Sequence, residues 1–169
     1  FLRYGYDFRN YSKAHIKRRI LHRLGTSQLS TVTELQDKIL RNREFFGELL
    51  NDLSINVTEM FRDPDFYRSL RENIIPKLQT YAYFKAWHAG CATGEEVYSL
   101  AILFREEGLL GRCQVYATDF NRKVLETAKE GVYQKLDMEQ YERNYQLSGG
   151  KKKLSDYYKS MYGSVMFNK

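Results

Sequence analysis

The stretch WHAGCATGEEVYSLAI, from Trp87 to Ile102, constrains this chain more than any other. An aromatic-rich segment from Tyr83 to Trp87 reads as a short strand, and the polar turn Gly90 to Gly94 ends it. A helix follows over Glu95 to Glu106, with Val97, Leu100, Ala101 and Phe104 along one side. A second strand, Gln114 to Thr118, ends at Asp119, and a second helix runs from Asn121 to Glu130, closed by Gly131. Strand, helix, strand, helix at this spacing predicts an α/β fold whose parallel sheet is of the doubly wound type.

Upstream of Ser54 the patterning is helical throughout. Ser12 to Leu24 places Ile16, Ile20, Leu21 and Leu24 on one face, with Ser12 as N-cap and Gly25 as C-terminal stop. Thr31-Val-Thr-Glu34 has capping-box spacing and opens a helix to about Arg41. A third helix from about Asn42 carries Phe45, Phe46, Leu49, Leu50 and Leu53 as its core stripe. Asp63-Pro64 starts a further helix, which Pro76 stops or kinks near Ile75. The expected domains are therefore a basic helical bundle over 1–53, a linker and lead-in helix over 54–81, and a partial catalytic domain over 82–169. Gly149-Gly150 followed by three lysines reads as a solvated turn, and short strands are expected within Tyr157 to Phe167.

Charge and composition narrow the function. The net charge is +6, and residues 1–25 hold Arg3, Arg9, Lys13, Lys17, Arg18, Arg19 and Arg23 against the single acid Asp7. That excess points to an anionic partner: nucleic acid, a membrane surface or an acidic protein. A hydrophobic fraction of 43% supports a real core and argues against global disorder. No apolar run reaches transmembrane length and the start has no signal-peptide pattern, so a cytoplasmic protein with no direct membrane insertion is expected. A chain opening on Phe1 is read as trimmed at its N-terminus. Cys91 and Cys113 make no CxxC pair, and His15, His22 and His88 have no metal-ligand spacing, so no metal is assigned.

The turn itself admits two readings. Ligands of doubly wound sheets bind at the carboxyl ends of the strands, and Asp119 at the end of the next strand suits a ribose diol. A dinucleotide is disfavoured, because Ala92 stands where a backbone must approach a pyrophosphate and Glu95 and Glu96 repel phosphates. Acids there suit a nucleoside that also carries positive charge, such as S-adenosylmethionine with its sulfonium and ammonium. An ordinary strand-to-helix turn with surface glutamates satisfies the same spacing.

Three longer motifs add to this. AGCATGEEVYSLAI resembles the AGCSTGEEPYSLAI signature of the CheR-type chemotaxis receptor methyltransferases. INVTEMFRDPDFY resembles that family's N-x-T-x-F-F-R-D/E motif, and ATDFNRKVLETAKEGVY its second-strand segment, in the same order. The resemblance implies transfer of the S-adenosyl-L-methionine methyl group to glutamate side chains on chemoreceptor cytoplasmic helices, leaving S-adenosyl-L-homocysteine. By motif position, Asn56, Thr58 and Arg62 would flank the cofactor, with Arg62 also the catalytic candidate as holder of a carboxylate. Ala89, Gly90 and Cys91 would wall the pocket, Glu96 would meet the methionine end, with Glu95 as the alternative, and Asp119 would hold the ribose. Lys13, Lys17, Arg18, Arg19 and Arg23 would face the receptor's acidic methylation region. Met60, Val97 and His88 depart from the family pattern; the first two stay apolar, and His88, in place of a small residue, is read as packed at a strand end. The family also runs on for further strands, with an adenine-pocket Asn-Leu pair and a tyrosine beyond Lys169, so the chain is expected to be an incomplete fragment. A non-catalytic adaptor and, less so, a nucleic-acid methyltransferase are the competing functions; the latter's Asn-Pro-Pro-Tyr-type motif does not occur here.

Overall fold

The computed structural model describes residues 2–54 and 58–168. The chain forms two compact units, Phe1–Ile55 and Asn56–Lys169.

The first unit holds α1 (Lys13–Thr26), α2 (Val32–Arg41) and α3 (Arg43–Leu53). The Thr31 hydroxyl accepts from Glu34 N while the Glu34 carboxylate accepts from Thr31 N, the reciprocal capping box its spacing predicts. Asn42 caps α3 by accepting from Phe45 N at 3.0 Å. Leu35, Phe45, Leu49, Leu50 and Leu53 form the buried stripe, whereas α1 buries no residue fully. Ser12 stands at the N-cap of α1 as expected, though without a side-chain cap bond; the expected stop at Gly25 fails, and the helix runs to Thr26, where Ser27 ends it.

The second unit opens with α4 (Pro64–Ser69), which does not stop at Pro76. A π-helical turn over Leu70–Ile74 leads directly into α5 (Ile75–Leu78). Pro76 has no N–H to donate and its ring crowds the preceding turn. One turn of wider i→i+5 bonding, with Ile75 N donating to Leu70 O, absorbs the mismatch and keeps the rod going.

Next come β1 (Phe84–Ala89), α6 (Glu95–Glu106), β2 (Cys113–Thr118) and α7 (Arg122–Glu130). β1 and β2 pair in parallel from Phe84↔Cys113 to Ala89↔Thr118, the start of a Rossmann-like sheet. β1 begins and ends slightly later than its aromatic run suggests. Asn121 caps α7, and Gly131 closes it in the left-handed conformation.

The tail holds more structure than its sequence shows. β3 (Val132–Gln134), α8 (Met138–Leu147), β4 (Tyr158–Ser160) and β5 (Ser164–Phe167) form a separate three-stranded antiparallel sheet, ordered β3-β5-β4, with its helix. The core of the unit gathers Met60, Phe61, Tyr67, Ile102, Leu103, Tyr145, Leu154, Val165 and Phe167.

The glycine–lysine turn is not merely solvated. Glu106, whose side chain is only 1% exposed, pairs with Arg71 at 2.5 Å. It also accepts from Tyr145 Oη, from Tyr157 Oη at 2.8 Å and from Lys151 N at 3.2 Å. Glu107 takes Arg71 at 2.7 Å and Lys151 Nζ at 2.8 Å. Gly150 lies against the Tyr145 ring, where a Cβ would stand 2.4 Å from Cζ. Buried carboxylates require paired donors, and Lys151 of this turn supplies one to each glutamate.

Candidate functional site

The site is built where β1 and β2 end side by side. After Ala89 the chain turns back on itself: Gly90 N and Cys91 N both donate to Thr118 O, at 2.8 and 2.9 Å. Ala92 takes a positive φ of 46°, rare for a residue with a Cβ, and its N–H donates to Asp119 Oδ2 at 3.0 Å. The other oxygen, Oδ1, accepts from Asn121 N at 2.8 Å. Asp119 therefore ties the glycine turn to the start of α7. Gly94 begins α6 at φ 96°, and any side chain there would run into Ala128, with Cβ at 2.8 Å.

Four of the five N–H groups of this turn, those of Gly90, Cys91, Ala92 and Gly94, are engaged inside the protein. They form no cradle for a pyrophosphate, in keeping with the sequence-based case against a dinucleotide. Asp119 keeps capacity of a different kind. A carboxylate has about four lone-pair positions and two are taken by backbone amides, leaving room for a pair of hydroxyls.

The two glutamates that open α6 face different surroundings. Glu95 is buried at 6% exposure, accepting from the Thr93 hydroxyl at 2.6 Å, while Tyr133 Oη donates to Thr93 O at 2.9 Å. Burial raises its pKa above the ordinary carboxylate value, against the Thr93 hydrogen bond. Glu96 is half-buried and lines a largely apolar cleft of about 400 Å³ with Tyr67, Trp87, His88 and Ala89. Burial lowers the His88 pKa and favours the neutral ring, against the opposing pull of Glu96 toward the charged form. Burial, Asp119 and Glu96 all raise the Cys91 thiol, which is not poised as a nucleophile.

Glu95→Gln is expected to raise the thermal midpoint at pH 8. A carboxylate whose folded pKa is raised opposes folding above that pKa, and the penalty vanishes as pH falls below the unfolded value. The gain should shrink as the pH is lowered toward the ordinary carboxylate value of 4.5. A variant less stable at pH 8 would show that the ionised Glu95 has a favourable partner.

The motif before Pro64 is held in place from α6. Met60 and Phe61 are fully buried, with Phe61 at φ 51°. Phe61 N donates to Ser99 Oγ at 2.9 Å, and Ser99 Oγ donates to Glu95 O at 2.8 Å. Asn144 Nδ2 on α8 donates to Met60 O at 3.0 Å. Sequence reasoning singled out neither Ser99 nor Asn144. Ser99 stands four residues after Glu95, a spacing at which a helical serine reaches back to a carbonyl, so it was findable; Asn144 carries no such signal.

Of the expected cofactor residues, Ala89, Gly90, Cys91, Glu95, Glu96 and Asp119 meet around this strand end. Asn56 lies outside the described residues, Thr58 is half-buried and Arg62 is exposed beside Phe61. The basic residues belong to the first unit. Lys13, Lys17 and Arg18 are exposed, and Arg19 is half-buried with its Nε lacking a hydrogen-bond partner. Arg23 is committed to Asp52 at 2.5 Å and Glu48 at 2.7 Å, with 14% of its side chain exposed, so its charge is already paired. Among the described residues no group of three metal-ligating side chains assembles and no helix is long and apolar enough to cross a membrane.

Comparison with known proteins decides the family. The model described as CheR methyltransferase, SAM binding domain, matches residues 56–167, more than half of the chain. This chain belongs to the CheR methyltransferase family. The CheR methyltransferase, all-alpha domain, matches residues 1–54. A putative methyltransferase Cher3 of Pseudomonas putida is 50% identical over 168 residues, covering 99% of this chain and 62% of that protein. A chemotaxis protein methyltransferase of Listeria innocua is 30% identical over 80% of this chain and 53% of its own length. That of Salmonella typhimurium is 33% identical over 55% of the chain and 32% of its own length. The chain thus spans 62% or less of these relatives. The cofactor of the CheR domain is S-adenosyl-L-methionine. The residues present suit it: a doubly oriented Asp119 for hydroxyls, an acid in the adjoining cleft for a cation, and no pyrophosphate cradle.

Proposed function

We propose that this chain carries the receptor-facing and cofactor-holding parts of an enzyme that methylates glutamate side chains on chemoreceptor cytoplasmic helices. The observation that carries the reading is Asp119, held by two backbone amides at the end of β2 beside a turn that leaves it hydroxyl-binding capacity. In this reading Asp119 takes the ribose diol, and Ala89, Gly90 and Cys91 form the wall beside it. Glu96 meets the ammonium end, because it lines the cleft while Glu95 is turned inward under Thr93. Thr58 and Arg62 flank the site, Arg62 holding a carboxylate by charge-assisted hydrogen bonds; Asn56 belongs with them by motif position.

When bound, S-adenosylmethionine supplies an electrophilic methyl group on a sulfonium. The acceptor glutamate is already an anion at neutral pH, so this chain's residues need supply no general base. Their work is to align carboxylate and methyl in line, an effect of orientation. Lys13, Lys17 and Arg18 present the basic surface to the receptor's acidic helices, with Arg19 at its margin and Arg23 as an internal brace. That surface rims a groove of about 570 Å³ lined by Ile16, Ile20, Leu21 and Val32, the shape and polarity an acidic amphipathic helix would meet.

The test is methyl transfer from radiolabelled S-adenosylmethionine to a chemoreceptor cytoplasmic fragment. It uses this chain extended to the length of its relatives. Alkali-labile label is expected, as for a glutamyl ester; no transfer, or alkali-stable label, overturns the reading. Lys13→Glu/Lys17→Glu/Arg18→Glu should lower kcat/KM at least tenfold while S-adenosylhomocysteine binding holds. Unchanged kcat/KM would remove the docking role.

A further inference from the structure

The first unit carries an arginine-lined cleft that methyl transfer does not use. Arg3, Tyr4, Arg41 and Arg43 line a depression of about 340 Å³, within the range of small-molecule sites. Its floor is fixed. Tyr4 Oη donates to Ile39 O at 2.7 Å, and the Tyr4 ring stacks on Phe46 with centroids 4.1 Å apart and planes 9° apart. The Arg3 guanidinium lies 5.9 Å from the centroid of that ring.

Three arginines line this cleft, and no acid is among its lining residues. Arg41 pairs with Asp37 on its own helix at 2.8 Å, but the two side chains are 80% and 58% exposed and such a pair is weak in water. Arg3 and Arg43 form no ion pair among the described residues. Like charges brought to one concave surface repel, and an anion of two or more charges reverses that sign. Guanidinium forks match phosphate oxygens bidentately, and three forks offer more donors than one carboxylate can accept. Lys13 and Lys17, on the proposed docking surface, do not line this cleft.

We propose that the Arg3–Arg41–Arg43 cleft binds a small diphosphate-bearing ligand, either the free anion or a nucleoside diphosphate. The experiment is calorimetric titration of the chain at low ionic strength with inorganic pyrophosphate and with adenosine diphosphate. One site per chain is expected, with affinity falling at least tenfold in Arg3→Gln/Arg43→Gln and unchanged in Lys13→Gln/Lys17→Gln. All four side chains are exposed, so the variants keep the fold. Equal affinity for the two probes assigns the diphosphate alone, and tighter binding of the nucleotide assigns a nucleoside as well. No binding by either probe at millimolar concentration, or wild-type affinity in the double arginine variant, overturns the proposal. So does an equal loss in the lysine variant, which would show unspecific charge attraction. Cofactor binding belongs to the other unit, so neither reading's failure bears on the other.

Discussion

Asp119→Ala is expected to abolish measurable S-adenosylhomocysteine binding by the extended chain. Two effects act together. The substitution removes the carboxylate proposed to hold the ribose hydroxyls. It also releases Ala92 N and Asn121 N, the two amides that fix the glycine turn and the start of α7. Hydrogen bonds to a charged group contribute about 1.5–3 kcal/mol each. The loss of one hydroxyl contact alone is therefore about tenfold or more in affinity. Ala92 at φ 46° is held partly by the Asp119 bond, and its release lets the turn relax away from a binding shape. Asp119→Asn separates the effects, since it retains one acceptor oxygen for the turn but not the charge. Calorimetry should give intermediate affinity for Asp119→Asn and none for Asp119→Ala. Wild-type affinity in both variants would remove Asp119 from the site and with it the main support for the pocket.

Arg71→Met is expected to destabilise the chain by about 3–5 kcal/mol, the range for breaking a buried ion pair by deleting one partner. Arg71 is 9% exposed and serves Glu106 and Glu107, which are 1% and 11% exposed. Without it, Glu106 keeps only Tyr145, Tyr157 and the Lys151 amide against the full desolvation of its charge. Urea unfolding measures the loss, with Arg41→Met as the control. That exposed pair should change stability by no more than about 0.5 kcal/mol. A loss below about 1 kcal/mol for Arg71→Met would mean that the network is solvated and dispensable.

The same cluster sets a pH dependence. Burial would raise the Glu106 pKa, but hydrogen bonds from Tyr145, Tyr157 and Arg71 outweigh it and hold the group below its ordinary value of 4.5. A depressed folded pKa means stability that is fully present above 4.5 and lost as pH falls through the folded value. Acid unfolding should therefore begin below pH 4.5 in the wild type, and Glu106→Gln should flatten that limb while lowering stability at neutral pH.

Much of this was legible in local chemistry. The capping box at Thr31 and Glu34, the helix starts near Asn42 and Asn121 and the Gly131 stop each involve residues within a few positions of one another. Short-range bonds leave short-range signatures. The same holds for β1, α6, β2 and α7, whose apolar periods changed at visible turn residues. Misses came where distant residues compete. Pro76 reads as a stop or a kink because it cannot make the i→i−4 bond, and of the two the chain avoids the stop, accommodating the proline with a π turn over Leu70–Ile74. The glycine–lysine turn is exposed as its composition indicates, but the bonds of Lys151 to Glu106 and Glu107 leave no local sign, because those partners lie more than forty residues earlier.

The linear order of residues placed a strand, a glycine-bounded turn, two glutamates and an aspartate one strand later, a spacing that an ordinary strand-to-helix turn also satisfies, and the longer motifs carried the family resemblance. It could not say which glutamate turns inward, because both begin α6 and differ only by one step of helical rotation. Only the packed fold, with Thr93 and Tyr133 on one side and His88 and Tyr67 on the other, separates Glu95 from Glu96. Nor could sequence tell Arg23 from its neighbours on a uniformly basic helix. Asp52 and Glu48 lie on a different helix, and charge in a sequence has a sign but no direction until the chain closes around it.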